Sequence, residues 1–472
     1  MNMDYNFSVW CDKKSDLELW FSLCAKNPLL SSINNVNVLP SYKEVNTNPK
    51  FSLLREIVLN DRFDFVVCID DKPILCVEIT EHGYTGDNPL QRFARIARAA
   101  ELGIPAFYVA PFKRTRLDEM LVTDKQTSMR HISFRMFQGM LKLQDMYKVP
   151  NFAIDWPTNI RGQPIPITST DEPGLSIIQI LEHLLTKHVN DIIQKKNILS
   201  CSYLKPYIEK TQEVASERNI RKSEVRIHEI SASELIDIIM NPNKLVDKMG
   251  LEYFLKGKAD KLMTLAALES SKVIYFEGES GRFTNGERLG DHQKRELLKK
   301  LLPKEVFNRP NLILFIGYQY RAEPTGGMVA NEYVLSCQNT KNPDYSGNKA
   351  NLIVFWPRVF LNNNSNVRMR LLRDLKNLTS ANNWNELNST SVIGKYMTMR
   401  HQENESAKYP SHIQYRNIHY GTWKDDVTVA RIFRRYATVV VLNDAILFRR
   451  RNLEQSNKNK KDGQKELDVD YF

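Results

Sequence analysis

The sequence predicts an α/β protein built from two modules, each a central mixed sheet flanked by helices, joined by a mainly helical segment. Three observations point there. Residues 51–110 run helix, strand, strand, helix, strand in their hydrophobic pattern. Residues 258–318 run through a comparable order again. The runs 311–318 and 351–356 are almost continuously apolar, as strands covered on both faces require.

Taken in order, residues 1–50 read as a helix at 16–25 followed by a loop containing Asn and Pro. Residues 51–59 are helix-like, 63–69 an apolar strand, 70–73 a turn and 74–80 a second strand. Residues 90–102 are amphipathic and stop at Gly103; 104–110 is a buried strand ending at Pro111. The stretch 149–174, rich in Pro, Thr and Asp, reads as a connection between modules. Residues 175–189 form a helix with Ile177, Ile178, Leu181, Leu184 and Leu185 on one face, and the charged stretch 209–229 reads as a surface helix or bridge. Then 258–268 and 272–279 are strand-like around a short turn, and 291–302 is a helix stopped by Pro303. Residues 438–442 and 445–449 flank an Asn443-Asp444 hairpin turn. The expected domains are therefore 1–150 and 251–451, a bridging region at 151–250, and a disordered tail at 452–472.

Composition narrows the function classes. The 472 residues are 42% hydrophobic and 26% charged, with only 19 Gly and 20 Pro, which excludes collagen-like and linker-dominated chains. Lys and Arg exceed Asp and Glu by 66 to 55, a net charge of +11 that favours a polyanionic partner, nucleic acid or an acidic membrane surface. Six scattered cysteines form no C-x-x-C pair, so neither a zinc ribbon nor a thioredoxin-like motif is available. With no apolar leader and no membrane-length apolar run, a reduced, cytoplasmic protein is expected.

Each hairpin carries paired acids. Asp64 and Glu78 are equidistant from residue 71, inside the first turn, so antiparallel pairing makes them neighbours, with Thr80 on the same face. Asp260 and Glu277 straddle the second turn in the same way, and Glu279 joins them by the two-residue period. Clustered carboxylates must be protonated, solvated, ion-paired or cation-bound. Hard oxygens with open positions beside them suit Mg²⁺ bridging to a phosphate, with metal ligation expected from Asp64, Glu78, Asp260, Glu277 and Glu279. The plain alternative is that each acid pairs with a nearby Lys or Arg.

The stretch Phe63-Asp64-Phe65…Val77-Glu78-Ile79-Thr80, followed by Gln91 on a helix and then a strand, resembles the PD-(D/E)XK nuclease superfamily, the restriction-endonuclease-like fold. The family's acid maps onto Asp64, the Glu of its E-x-K onto Glu78, a helical Gln onto Gln91, and a Glu on the preceding helix onto Glu56. The second half resembles it again through Asp260, Glu277, Glu279 as an E-x-E variant, and Gln293. Where the family has Lys, this chain has Thr80 and Glu279. Arg92 or Lys72 in the first module, and Lys258, Lys261 or Lys294 in the second, are the candidates to replace it.

What the resemblance implies is a Mg²⁺-dependent endonuclease acting on double-stranded DNA. The setting would be a type II restriction enzyme, with a cognate methyltransferase encoded elsewhere, or another antiphage nuclease. One active module would call for a homodimer. The rival is a non-catalytic DNA-binding or assembly protein on degenerate nuclease folds, or a nuclease subunit of a transposition or repair complex. Expected nucleic-acid contacts are His82 in the loop after the first acidic strand, Arg92 and Arg95 in a basic stripe with Arg98, Arg114 and Arg116 past the strand at 104–110, Arg282 in a Gly-containing loop, and Lys294. A P-loop fails on spacing at Gly250 and Gly257, and no H-E-x-x-H is present.

Overall fold

The computed structural model describes residues 6–24, 27–33, 35–80, 90–115, 129–131, 134–157, 165, 177–194, 201–216, 226–240, 244–245, 274–277, 282–283, 292, 295–296, 298–299, 302–316, 322–337, 350–356, 428–442 and 445–448. They fall into two units, Met1–Ile220 with Gly326–Gly347, and Arg221–Thr325 with Asn348–Phe472. No described helix is long and apolar enough to cross a membrane.

The first unit holds β1 (Phe7–Cys11), α1 (Lys14–Cys24), α2 (Pro28–Ser31), β2 (Asn35–Val38), α3 (Tyr42–Thr47), α4 (Ser52–Arg55), β3 (Phe65–Ile69), β4 (Lys72–Ile79), α5 (Leu90–Glu101), β5 (Ala106–Ala110), β6 (Lys113–Thr115), β7 (Met129–His131), α6 (Phe134–Tyr147), β8 (Asn151–Asp155), α7 (Ile177–Ile193) and α8 (Lys205–Ser216). Six strands form one mixed sheet in the order β2-β1-β3-β4-β5-β8. β3 is antiparallel to β1 and β4, whereas β4, β5 and β8 run parallel. Both faces are covered. Trp20, Leu181 and Leu184 pack with Phe65, Val67 and Phe107 in one core, and Phe93, Ala97 and Phe137 are buried too. That double cover is why β3 and β5 read as unbroken apolar runs rather than alternating ones.

The second unit holds β9 (Arg226–Ile230), α9 (Ala232–Met240), β10 (Ile274–Glu277), β11 (Arg282–Phe283), α10 (Lys304–Asn308), β12 (Asn311–Phe315), α11 (Ala322–Ser336), β13 (Asn351–Trp356), α12 (Thr428–Tyr436), β14 (Val439–Leu442) and β15 (Ala445–Phe448). From Gly326 onward α11 belongs to the first unit. The sheet order is β11-β10-β15-β14-β13-β12-β9, with β12, β13 and β14 parallel. A buried polar ladder ties their starting ends: Asn351 Nδ2 donates to Asn311 Oδ1 at 2.9 Å and to the Glu305 carbonyl at 2.7 Å.

The α/β class holds, and several boundaries move. α1 answers the helix expected at 16–25, but β1 precedes it where no element was assigned, β2 falls in the expected loop, and β8 lies inside the stretch read as a connection. The charged stretch 209–229 is not one helix: α8 ends at Ser216 and β9 begins at Arg226. Of the expected bridging region, β8, α7 and α8 belong to the first unit, and β9 and α9 to the second. The second sheet does not repeat the strand order of the first: its parallel trio β12, β13 and β14 lies inside the sheet, whereas the parallel β4, β5 and β8 run out to an edge. The described neighbours of β10 are β15 and β11, and the expected partner strand over 258–268 lies outside the described residues. The tail at 452–472 also lies outside them.

Candidate active site at the end of the first hairpin

A two-residue turn and one extra residue decide which acids meet. Asp70 and Asp71 take φ of +49° and +60°, as a tight hairpin turn between Ile69 and Lys72 requires. Pairs next to the turn are Ile69↔Lys72 and Cys68↔Pro73; after a bulge they become Val67↔Leu75 and Phe65↔Val77. The bulge at Ile74 slips the register by one, and Pro73, which has no N–H for the ladder, sits beside it. Continuing the shifted register puts Asp64 opposite Glu78.

Asp64 Oδ2 accepts the Ile79 N–H at 2.6 Å, and the Asp64 carbonyl accepts the Asp12 N–H at 3.2 Å. The second bond draws the end of β1 and the start of α1 to the site. Asp12, Asp16 and Asp64 each offer an oxygen within 4.8 Å of the other two, and all three are half-buried. Asp16 also accepts the Lys13 N–H, and Arg62 Nε lies 2.7 Å from Asp12 Oδ1. Burial pushes the Asp64 carboxyl up to about 6, against the Ile79 N–H and Arg95, with Asp16 adding to the rise.

Glu78 is fully buried, and both its oxygens face guanidinium groups: Oε1 lies 2.9 Å from Arg92 Nε, and Oε2 accepts from Arg95 Nη1 at 2.9 Å. Burial pushes its carboxyl up to about 8, with Arg95 and Arg92 pulling down and Asp64 pushing up. Arg95 also donates to Asp61 and to the Arg62 carbonyl. Asp61 holds φ of +98°, a left-handed conformation that non-glycine residues avoid, so the contact to Arg95 is made at a strained turn.

The expected residues therefore sort unevenly. Asp64, Glu78 and Arg92 are brought together. Thr80 is buried two residues past Glu78, its N–H on the Val109 carbonyl, and its hydroxyl has no hydrogen-bond partner among the described residues. Gln91 is half-buried in the first turn of α5, and no described hydrogen bond or ion pair joins it to either acid. Arg95 was expected to touch nucleic acid; it is instead 3% exposed and spent on Glu78 and Asp61. Arg98 of the same stripe is buried on Glu56 and Glu101. Helix spacing showed that three arginines share a face, but not that this face turns inward.

Arg114 lies in β6, and Glu277 pairs with Arg282 across β10 and β11, so Arg282 is in a strand rather than a loop. His82, Arg116, Asp260, Glu279, Gln293 and Lys294 lie outside the described residues, as do Lys258 and Lys261. Sequence reasoning missed Asp12, Asp16 and Asp61. The i, i+4 spacing of Asp12 and Asp16 at a helix start was a signal, but one that helix capping explains equally well. No protein-family model, curated protein or solved structure matches the chain.

For a hard divalent cation the fit is good on one side. Asp64, Asp16 and Asp12 are half-buried carboxylate donors, although Asp12 already faces Arg62 through Oδ1 and Lys13 through Oδ2. Glu78 could ligate only by giving up Arg92.

Proposed function

We propose that the first unit is a Mg²⁺-dependent nuclease that hydrolyses phosphodiester bonds of double-stranded DNA, of restriction or antiphage type. The observation that carries this reading is the meeting of Asp64 and Glu78 at the end of β4, followed by α5 and then parallel β5. That order of acid, E-x-x strand, helix and strand is the one the resemblance led us to expect. Asp64 would hold the cation with Asp16 and Asp12. The bound ion would lower the pKa of a water and offset charge growing on the phosphate. Arg95 holds Glu78 in place, and Arg92, 28% exposed at its side chain, stands beside it where the family's Lys is missing. There it can meet a phosphate oxygen, which a guanidinium does well.

Plasmid cleavage tests the reading. Wild type with Mg²⁺ should cut, EDTA should abolish cutting, and Asp64→Asn should reduce the rate by about a hundredfold or more, in line with losing an electrostatic contact made in the transition state. A second reading is favoured by the Arg clamp on Glu78 and the enclosed Thr80: a DNA-binding module without hydrolysis. Metal-independent binding with no cutting of any duplex would decide for it.

A further inference from the structure

We infer that the two-stranded ribbon β6–β7 is an arm that grips the phosphate backbone of duplex DNA beside the carboxylate site. This deepens, and rests on, the nucleic-acid reading of the first unit. The ribbon pairs Lys113 with His131, Arg114 with Arg130 and Thr115 with Met129. Three of its six residues are formally cationic, one is His, and none is acidic. Like charges at directly opposed positions destabilise a strand pair, and a lone two-stranded ribbon has little stability to spare. A polyanion lying along it removes that repulsion. The connecting residues 116–128 set Arg116 and Lys125 against Asp118, Glu119 and Asp124, so the net positive charge is confined to the paired strands.

The root of the arm is fixed. Only Pro111 and Phe112 separate β5 from β6. Phe112 is buried, its ring lies edge-on to Phe137 at 4.9 Å, and its N–H donates to Asp155 Oδ1 at 2.9 Å. β5 is parallel to β4, with Ile79 paired to Val109. The ribbon therefore leaves the sheet at the edge where Glu78, Ile79 and Thr80 end. A two-stranded ribbon fits the major groove of B-DNA. An acidic membrane fits poorly, because Met129 is the ribbon's sole apolar residue.

The test is fluorescence anisotropy of the full chain with a duplex in EDTA, so that binding is read without hydrolysis. Measured between about 50 and 200 mM salt, Arg114→Gln with Arg130→Gln should weaken binding about tenfold or more and flatten the salt dependence by about two released ions. Arg114→Glu, which sets opposite charges across the ribbon, should lose DNA affinity while its melting temperature holds or rises. Unchanged affinity and slope, no wild-type binding, or an equal loss on phosphatidylserine vesicles would overturn the inference. Loss of binding in both variants, in a protein that never cuts DNA, would leave the arm standing and remove only the hydrolysis.

Discussion

Removing a carboxylate from water costs several kcal/mol unless charged partners replace the lost solvent, and Arg92 and Arg95 meet that demand for Glu78 only in part, since burial still raises its carboxyl to about 8. His188 meets a similar demand differently. It is fully buried in α7, its ring edge-on to Phe107 at 5.4 Å, and burial lowers its pKa to about 4. Below its unfolded value near 6.5 the unfolded chain takes up a proton that the folded chain refuses, so stability falls as pH drops from 6.5 towards 4. The loss reaches about 3 kcal/mol at the low end. Urea unfolding at pH 7 and at about 4.5 should show a smaller pH loss for His188→Gln than for wild type. Equal losses would mean that the histidine is protonated in the fold. Alternation along β4 made Glu78 and Thr80 legible as a pair, but nothing local distinguishes an acid facing solvent from one beneath two arginines.

At the scale of elements, helices approach closely only where a side chain is missing. A Cβ on Gly327 of α11 would overlap the Leu90 carbonyl at the start of α5, and one on Gly139 of α6 would overlap Asn331. Arg135 of α6 closes the same contact by pairing with buried Glu332. Gly327→Ala should therefore destabilise by about 1–3 kcal/mol, although alanine favours helix, because backbone must move. Thermal melts check this, and a neutral or stabilising result would show that the helices do not touch there. α5 was readable because Leu90, Phe93, Ala97 and Ala100 share one face and Gly103, at φ +73°, ends the turn. β8 was not, since Asn151–Asp155 is five residues among prolines and gains its identity only by pairing with β5.

At the scale of the molecule, the chain leaves the first unit after Ile220, returns at Gly326 and leaves again at Gly347. A fragment ending at 220 lacks the turns of α11 that cover Gly139 and neutralise Arg135. It should melt below the same unit in the full chain and gain stability when the 322–347 peptide is added. A fragment that melts unchanged without the peptide would refute this.

By itself the sequence determined the α/β class, the hairpin over 65–79, α5 and the buried strands β5, β12 and β13, because period and apolar content are local properties. It also brought Asp64 to Glu78, since the midpoint at residue 71 anticipated the shifted register. Only tertiary structure decided how that register arises, through the bulge at Ile74 after a turn that alone would pair Asp64 with Val77. Tertiary structure alone also turned Arg95 inward and added Asp12 and Asp16 from a distant strand and helix. Those outcomes depend on which surfaces burial brings together, and no window along the chain contains that information.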